Sequence, residues 1–459
     1  MAQRSAHEID MLHGPILPKY FAFTIPMALS MMLQLLFNAA DVIVVGRFAG
    51  ANALAAVGST TALVSLMINF ISGISSGVNI IIAREYAIGD FDDVSETVHT
   101  AIPIGFLGGL LFAAGGIAFA MPILTLMKSP EGVIGMSATY LRIYFLCMPA
   151  VAVYNFGAAI LRSIGDTKRP MYYLIISGVI NVLLNLYTVI VLGWSVRGVA
   201  IATAVSNLVS ALLVVRALIC EESCLKLSFD KLKLRGSVVK QIFRLGLPTA
   251  VQGSMYAISN VLIQSSVNSF GPVYMAGNAA AQSLEGFQFA FLVTNLNTTL
   301  TFMSQHYGAR MYKRAKKVFR TVILAGMAIA TLIGLLFMIF RVPLLSIYNP
   351  DPEVISVGAR RMSIVVMVGF LEIIMDAYSS AIRAAGHTME PTIVSLLFAC
   401  LFRALWLATV FRMFHVYEVI VLVWPISWIL TILCYIPLFK HVTKGLPTTD
   451  ADSPVTVDA

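Results

Sequence analysis

Residues 37–50 read FNAADVIVVGRFAG, so a carboxylate, Asp41, stands inside an apolar run. An ionisable side chain within a membrane span costs about 2.5–3.5 kcal/mol on insertion scales, which makes such a residue a functional candidate by position alone. A carboxyl group there can take up and release protons as its surroundings change. Asn181 and Asn185 are four residues apart and share one helix face, as do Thr203 and Asn207. At a rise of about 1.5 Å per residue, these residues and Asp41 come to comparable depth and can surround one aqueous pocket. Pro26 precedes Asp41 on the same run, and proline removes a helix hydrogen bond and creates a bend point. The same polar groups also read as interhelical glue, a common use of Asn, Ser and Thr in spans.

The later part of the chain carries its own intramembrane charges: Glu285, Glu372, Asp376 and Arg403. Glu372 and Asp376 lie one helical turn apart, with Arg403 at similar depth on the next span. An Arg–carboxylate pair would neutralise one acid and leave the other free to titrate or to bind a cation. Glu285 has no basic partner evident from spacing and is a further cation or charge-network candidate.

The elements that must position these groups are membrane helices. The chain has 459 residues, 58% of them hydrophobic and 12% charged, with a mean hydropathy of +0.85. A soluble domain carries about 25% charged residues. Apolar stretches of span length, about 20 residues, fall near 18–45, 54–82, 98–120, 138–161, 171–192, 198–219, 242–268, 275–303, 318–340, 361–382, 391–412 and 417–439. Barrel strands of about ten alternating residues do not fit such continuous runs. The N-terminal MAQRSAHEIDMLHGP lacks the pattern of a cleaved signal, so the first run reads as a retained span. With an even number of spans both termini share one side. About 22 of the 31 Lys and Arg residues fall on that side, which the positive-inside rule makes cytoplasmic. The basic runs KLKLRGSVVK (231–240) and RMYKRAKK (310–317) dominate that count and read as topology anchors rather than a nucleic-acid surface. Five scattered cysteines read as reduced thiols, and no metal-ligand spacing emerges. Seven dispersed histidines, and no phosphate-binding G-x4-GK[ST] loop, argue against a membrane enzyme and against ATP use.

The chain repeats itself. AAILRSIGDTKRP at 158–170 matches SSAIRAAGHTMEP at 379–391, with Arg162, Gly165, Thr167 and Pro170 paired with Arg383, Gly386, Thr388 and Pro391 at an offset of 221. FTIPMALSMM around Pro26 matches LGLPTAVQGSM around Pro248 at nearly that offset. The expected organisation is a cytoplasmic N-terminus (1–17), an N-lobe of six spans (18–219), a basic linker (220–241), a C-lobe of six spans (242–439) and a disordered cytoplasmic tail (440–459). Six is even, so the lobes insert alike and should be related by a pseudo-twofold axis along the membrane normal, a transporter's geometry.

The run P-x14-D-x4-G-R followed by ALAAVG, the loop LRSIGDTKRP, the N-x3-N pair and the two-by-six layout resemble the MATE family (multidrug and toxic compound extrusion), over roughly residues 15–440. The resemblance implies a cation-coupled antiporter in the cell (inner) membrane that exports amphipathic, often cationic, drugs or toxic metabolites by alternating access. It implies a proton-coupling role for Asp41, a bend at Pro26 and polar-pocket roles for Asn181, Asn185 and Thr203. Many members carry Asp where this chain has Asn185, which leaves Asp41 as the one acid of the first-lobe cluster. Asp376 resembles a sodium-site acid of the sodium-coupled branch. The span-7 acid of that branch is missing, with Gln252 and Gln264 in its place, so a sodium site would need Glu285 or another substitute. The expectation is therefore a monomeric carrier with no cofactor, coupled to H+ or Na+, surrounded by lipid. A lipid-linked oligosaccharide flippase of the same superfamily is the rival, weakened by the single plainly intramembrane arginine, Arg403.

Overall fold

The computed structural model describes residue 5 and residues 7–127 and 131–444. These form an all-α protein with no β-sheet among the described residues. Twelve long helical segments follow the order read from hydropathy. They are α1 (Ile16–Val44, continued by a π-helical turn Val45–Ala49), α2 (Ala51–Ile88) and α3 (Phe91–Leu126). Next come α4 (Glu131–Leu146 and Met148–Ser163), α5 (Lys168–Leu186 with a π-turn Tyr187–Val191) and α6 (Ser195–Ile219). The second six are α7 (Gly236–Asn268), α8 (Pro272–Gly308), α9 (Tyr312–Ile339), α10 (Pro352–Val365 and Phe370–Ala384), α11 (Met389–Phe414) and α12 (Tyr417–Thr443). Two of them are bent, α4 by 46° at Cys147 and α10 by 45°.

Eight segments are each long and apolar enough to cross a membrane, and ten with the bent pairs. The other two, α7 and α8, were read as apolar runs over 242–268 and 275–303. They are long enough to span, but their mean hydropathy is diluted by residues such as Gln252, Gln264, Asn278 and Asn295. Large apolar side chains crowd the exterior, with Leu111 75% and Leu126 84% exposed. A surface of that kind is stable only in lipid, and the protein is a multi-pass membrane protein.

The boundaries differ from those expected. α7 begins at Gly236, so the linker is 220–235 rather than 220–241. α12 runs through Thr443, so the start of the expected tail is helical, and 445–459 lie outside the described residues.

The chain divides into two compact units, Met1–Asp10 with Ile25–Ala250, and Met11–Thr24 with Val251–Ala459. The early turns of α1 therefore belong with the second six helices, and the early turns of α7 with the first six. Packing explains both memberships. In the second unit Tyr20 donates to Asn295 Oδ1 at 2.9 Å, Thr24 and Thr298 share a hydroxyl hydrogen bond of 3.1 Å, and Phe23 meets Phe302 edge-on at 5.6 Å. In the first unit α2 and α7 touch backbone to backbone. A Cβ on Gly73 would fall 2.4 Å from Ala250 Cα, and one on Gly246 2.5 Å from the Ile74 carbonyl oxygen. The chain changes unit beside Pro26 and beside Pro248, the two residues the internal repeat aligns.

The repeat is also written in the backbone. Gly165 and Gly386 adopt φ of 96° and 97°, each ending a helix in the left-handed conformation that favours glycine. Gly50 and Gly271, again 221 apart, open α2 and α8 with φ of 88° and 91°.

Candidate functional site

The first unit brings Asp41, Asn181, Asn185 and Thr203 into one chain of hydrogen bonds. Asn185 Nδ2 donates to Asp41 Oδ1 and, at 3.2 Å, to Asn181 Oδ1. Asn181 Nδ2 donates to Thr203 Oγ1 at 3.5 Å, and the Thr203 hydroxyl donates to the Val199 carbonyl at 3.0 Å. Only the Asn185 amide donates to the carboxylate, and the remaining donors run away from it toward Val199. A carboxylate accepts only, so the bond from Asn185 fits ionised Asp41. Asn185 is fully buried, and its Oδ1 has no hydrogen-bond partner among the described residues. Asn207, expected in the same pocket, instead turns back on its own helix and donates to the Thr203 carbonyl at 2.9 Å.

Local backbone features aim these groups. α1 passes into its π-turn one helical turn after Asp41, and α5 passes into its own just after Asn185. π-turns inside α-helices recur at functional sites because the widened turn re-aims side chains. α1 and α5 meet at Gly178, where a Cβ would lie 1.9 Å from the Phe37 ring. Gly178 lies three residues before Asn181 and Phe37 four before Asp41, so this contact sets the distance across which Asp41 and Asn185 bond. Tyr140 and Tyr144 of α4, stacked with centroids 6.0 Å apart, lie within the field of Asp41. Pro26 is buried on α1, and Ser30 Oγ donates to its carbonyl at 2.8 Å. None of Phe37, Gly178, Tyr140 and Tyr144 was singled out from sequence, because an apolar or small residue in a span looks the same whether it faces lipid or a site.

The second unit is organised differently from the sequence expectation. Glu285 does have a basic partner: Arg361 of α10 holds it by two parallel bonds, Nε–Oε1 at 2.8 Å and Nη2–Oε2 at 2.7 Å. Arg361 Nη1 also donates to Asn278 at 3.1 Å, as does the Tyr417 hydroxyl, and the guanidinium lies 4.5 Å from the centroid of the Trp424 ring. Sequence reasoning left Arg361 at the end of a span, where arginine usually anchors. Arg403 makes no ion pair with Glu372 or Asp376 among the described residues. It donates to Ser427 at 3.1 Å and stands 5.7 Å from Trp424. Glu372 lies in the field of Arg403 and Glu285, and Asp376 in that of Glu372 and Arg383. Gln252 is held by Arg383, and Gln264 by Asn278 and Asn268. No group of three or more His, Cys, Asp or Glu side chains suited to a metal ion occurs among the described residues.

The geometry can be set beside known proteins. The chain is 30% identical over 385 residues to the probable multidrug resistance protein YoeA of Bacillus subtilis, covering 82% of each chain. It is 24% identical over 351 residues to a FAD transporter of Shewanella oneidensis, covering 75% of this chain and 77% of that one. It superposes with a TM-score of 0.88 on an outward-facing multidrug resistance MATE family transporter of the MOP superfamily, at 18% identity over 96% of this chain and 100% of the other. The MatE family model matches residues 26–187 and 248–407, each match opening at or beside one of the repeated prolines. The chain belongs to the MatE family of transporters.

Proposed function

We propose that this protein is a proton-coupled antiporter that exports amphipathic, often cationic, small molecules across the cell membrane, with its basic loops and both termini on the cytoplasmic side. The observation that carries the reading is the orphaned acceptor at Asn185 beside the carboxylate of Asp41. Ionised Asp41 accepts a hydrogen bond from the Asn185 amide. Protonated Asp41 is itself a donor, and Asn185 Oδ1 is the free acceptor within its reach. Protonation therefore trades one hydrogen bond for another and turns the amide, which breaks its bond to Asn181 and loosens the link to Thr203.

Changed attachment of α1 to α5 and α6 alters the bend that α1 prefers near Pro26. The pocket then loses both its negative charge and its shape, and an organic cation loses its counter-ion and leaves. Release of the proton on the cytoplasmic side restores the carboxylate and the affinity. Exchange of one proton for a neutral substrate moves one charge, for which 100 mV supplies about 2.3 kcal/mol, enough for a roughly fifty-fold gradient. Exchange for a monovalent cation is electroneutral and is driven by the pH difference alone.

Sodium coupling is the second reading, and a specific observation weighs against it. A second-unit sodium site around Asp376 would need Glu285 or another substitute, and both carboxylate oxygens of Glu285 are engaged by Arg361. The proposal is tested by proton movement in liposomes that hold the purified protein. Adding a cationic dye such as ethidium under a pH gradient without sodium should trigger it. A response that appears only with a sodium gradient would overturn the reading.

A further inference from the structure

A second feature of the first unit stands apart from the Asp41 cluster. A cavity of about 780 Å³ runs along α3, the break of α4 at Cys147 and the linker-proximal half of α6. Its wall is almost entirely apolar, and its one charged lining residue is Lys233, at the end formed by the linker. Along α6 it extends from Val215 to Ala204, which at about 1.5 Å per residue is roughly 16 Å, half the depth of a bilayer core. The volume lies within the range of about 300–1,000 Å³ typical of ligand sites. Leu208 and Leu212, 50% and 60% exposed, mark the side through which it opens to the surroundings of the helices.

The linker is tied in place over this cavity. The Ser228 backbone N–H donates to His99 Nε2 at 3.0 Å, and Thr100 Oγ1 donates to the Lys233 carbonyl at 3.0 Å. His99 Nδ1 in turn lies 2.6 Å from the Ser95 carbonyl, so its hydrogen sits on Nδ1 and leaves Nε2 to accept. Within the held segment, Lys231–Arg235 alternates exposed basic and apolar residues after the acidic Asp230, a pattern suited to the boundary between headgroups and acyl chains. Lys231 and Lys233 make no ion pair among the described residues, while Arg235 is occupied by Glu96 at 2.9 Å.

We propose that this cavity holds an acyl chain of an anionic phospholipid whose phosphate is taken by Lys231 and Lys233. The long apolar trough fits a hydrocarbon chain and gives a polar solute no partner. Lys233 lines its linker end, and Lys231 stands two residues away on the same exposed segment. Interfacial basic residues favour anionic lipid by roughly five-fold each, so the pair should give a preference of about thirty-fold over a zwitterionic lipid.

The test is native mass spectrometry of the full-length protein, loaded with equal amounts of phosphatidylglycerol and phosphatidylcholine. The wild type should retain one phosphatidylglycerol preferentially. The double variant Lys231→Gln/Lys233→Gln, altered only at exposed side chains, should lose that preference while still binding either lipid. Ala150→Trp, placed to fill the trough beside Pro149, should lower retention of both. Equal retention of the two lipids by the wild type would overturn the headgroup assignment. Phosphatidylglycerol retention unchanged by the tryptophan would overturn the trough. Neither outcome depends on the coupling ion or on transport.

Discussion

Arg361 and Glu285 face each other through two parallel hydrogen bonds of 2.8 and 2.7 Å, with the guanidinium laid on Trp424. The arrangement joins α8, α10 and α12 through a charge pair in which Arg361 is almost wholly buried. A fixed cation on a side chain thus neutralises Glu285.

Removing one member of a buried pair strands the other, at a cost of about 3–5 kcal/mol. Glu285→Gln should therefore lower the apparent Tm of the detergent-solubilised protein strongly. The double variant Glu285→Gln/Arg361→Met should recover most of that loss. A single variant as stable as wild type would show that the pair holds nothing together.

Gly178 sets a second test. A methyl group there would meet the Phe37 ring at 1.9 Å, and overpacking of this kind costs about 1–3 kcal/mol. Gly178→Ala should impair both stability and transport, because it pushes Asp41 away from Asn185. Phe37→Leu in the same chain should restore both, and a lack of rescue would mean that the close approach of α1 to α5 is not what aligns the site.

Outside the membrane, Glu221 ties the linker to the first turn of α5 and to Ser5. It accepts from Arg169 at 2.6 Å and from Ser5 at 2.7 Å. Burial pushes its pKa up, but the bonds from Arg169, Ser5 and Ser223 win and hold it below the usual carboxylate range. A depressed value stabilises the fold above the unfolded pKa, and that contribution fades as pH falls through the folded value. Glu221→Gln should thus cost about 2 kcal/mol at pH 7 and much less at a pH below the depressed folded value, where the wild-type carboxyl has taken up its own proton. The comparison is of apparent Tm at the two pH values, and an equal loss at both would assign the effect to packing.

Much of the first-unit site was legible because polar residues in apolar runs are conspicuous and helical spacing is rigid. Asp41, Asn181, Asn185 and Thr203 could be brought together by counting turns. Asn207 could not be placed the same way, because spacing fixes the face of a helix but not whether an amide bonds outward or to its own backbone. The Arg361–Glu285 pair was hidden for another reason. Its partners come from helices far apart in the chain, and an arginine near a span end ordinarily anchors in water. The unit membership of Met11–Thr24 and of the start of α7 was also beyond the sequence. The repeat aligned Pro26 with Pro248, but which unit each flank packs against is decided by contacts such as Tyr20 with Asn295 and Gly73 with Ala250.

The amide of Asn185 offers a graded probe of the proposed switch. Asn185→Leu keeps the volume but removes both the donor to ionised Asp41 and the acceptor for the protonated form. Proton-driven export should fall at least about ten-fold, the effect of roughly 1.4 kcal/mol, with the protein still folded by its apparent Tm. Thr203→Val, one bond further along, should cost less than Asn185→Leu in the same dye-efflux assay. The reverse order would place the switch at α6 rather than at Asp41.

The most direct measurement compares wild type with Asp41→Asn in liposomes that contain a pH-sensitive dye, under a pH gradient and without sodium. The account predicts that ethidium triggers proton movement through the wild type and none through the variant, while both remain folded and inserted. Equal proton movement through the two would contradict it and make Asp41 a structural residue.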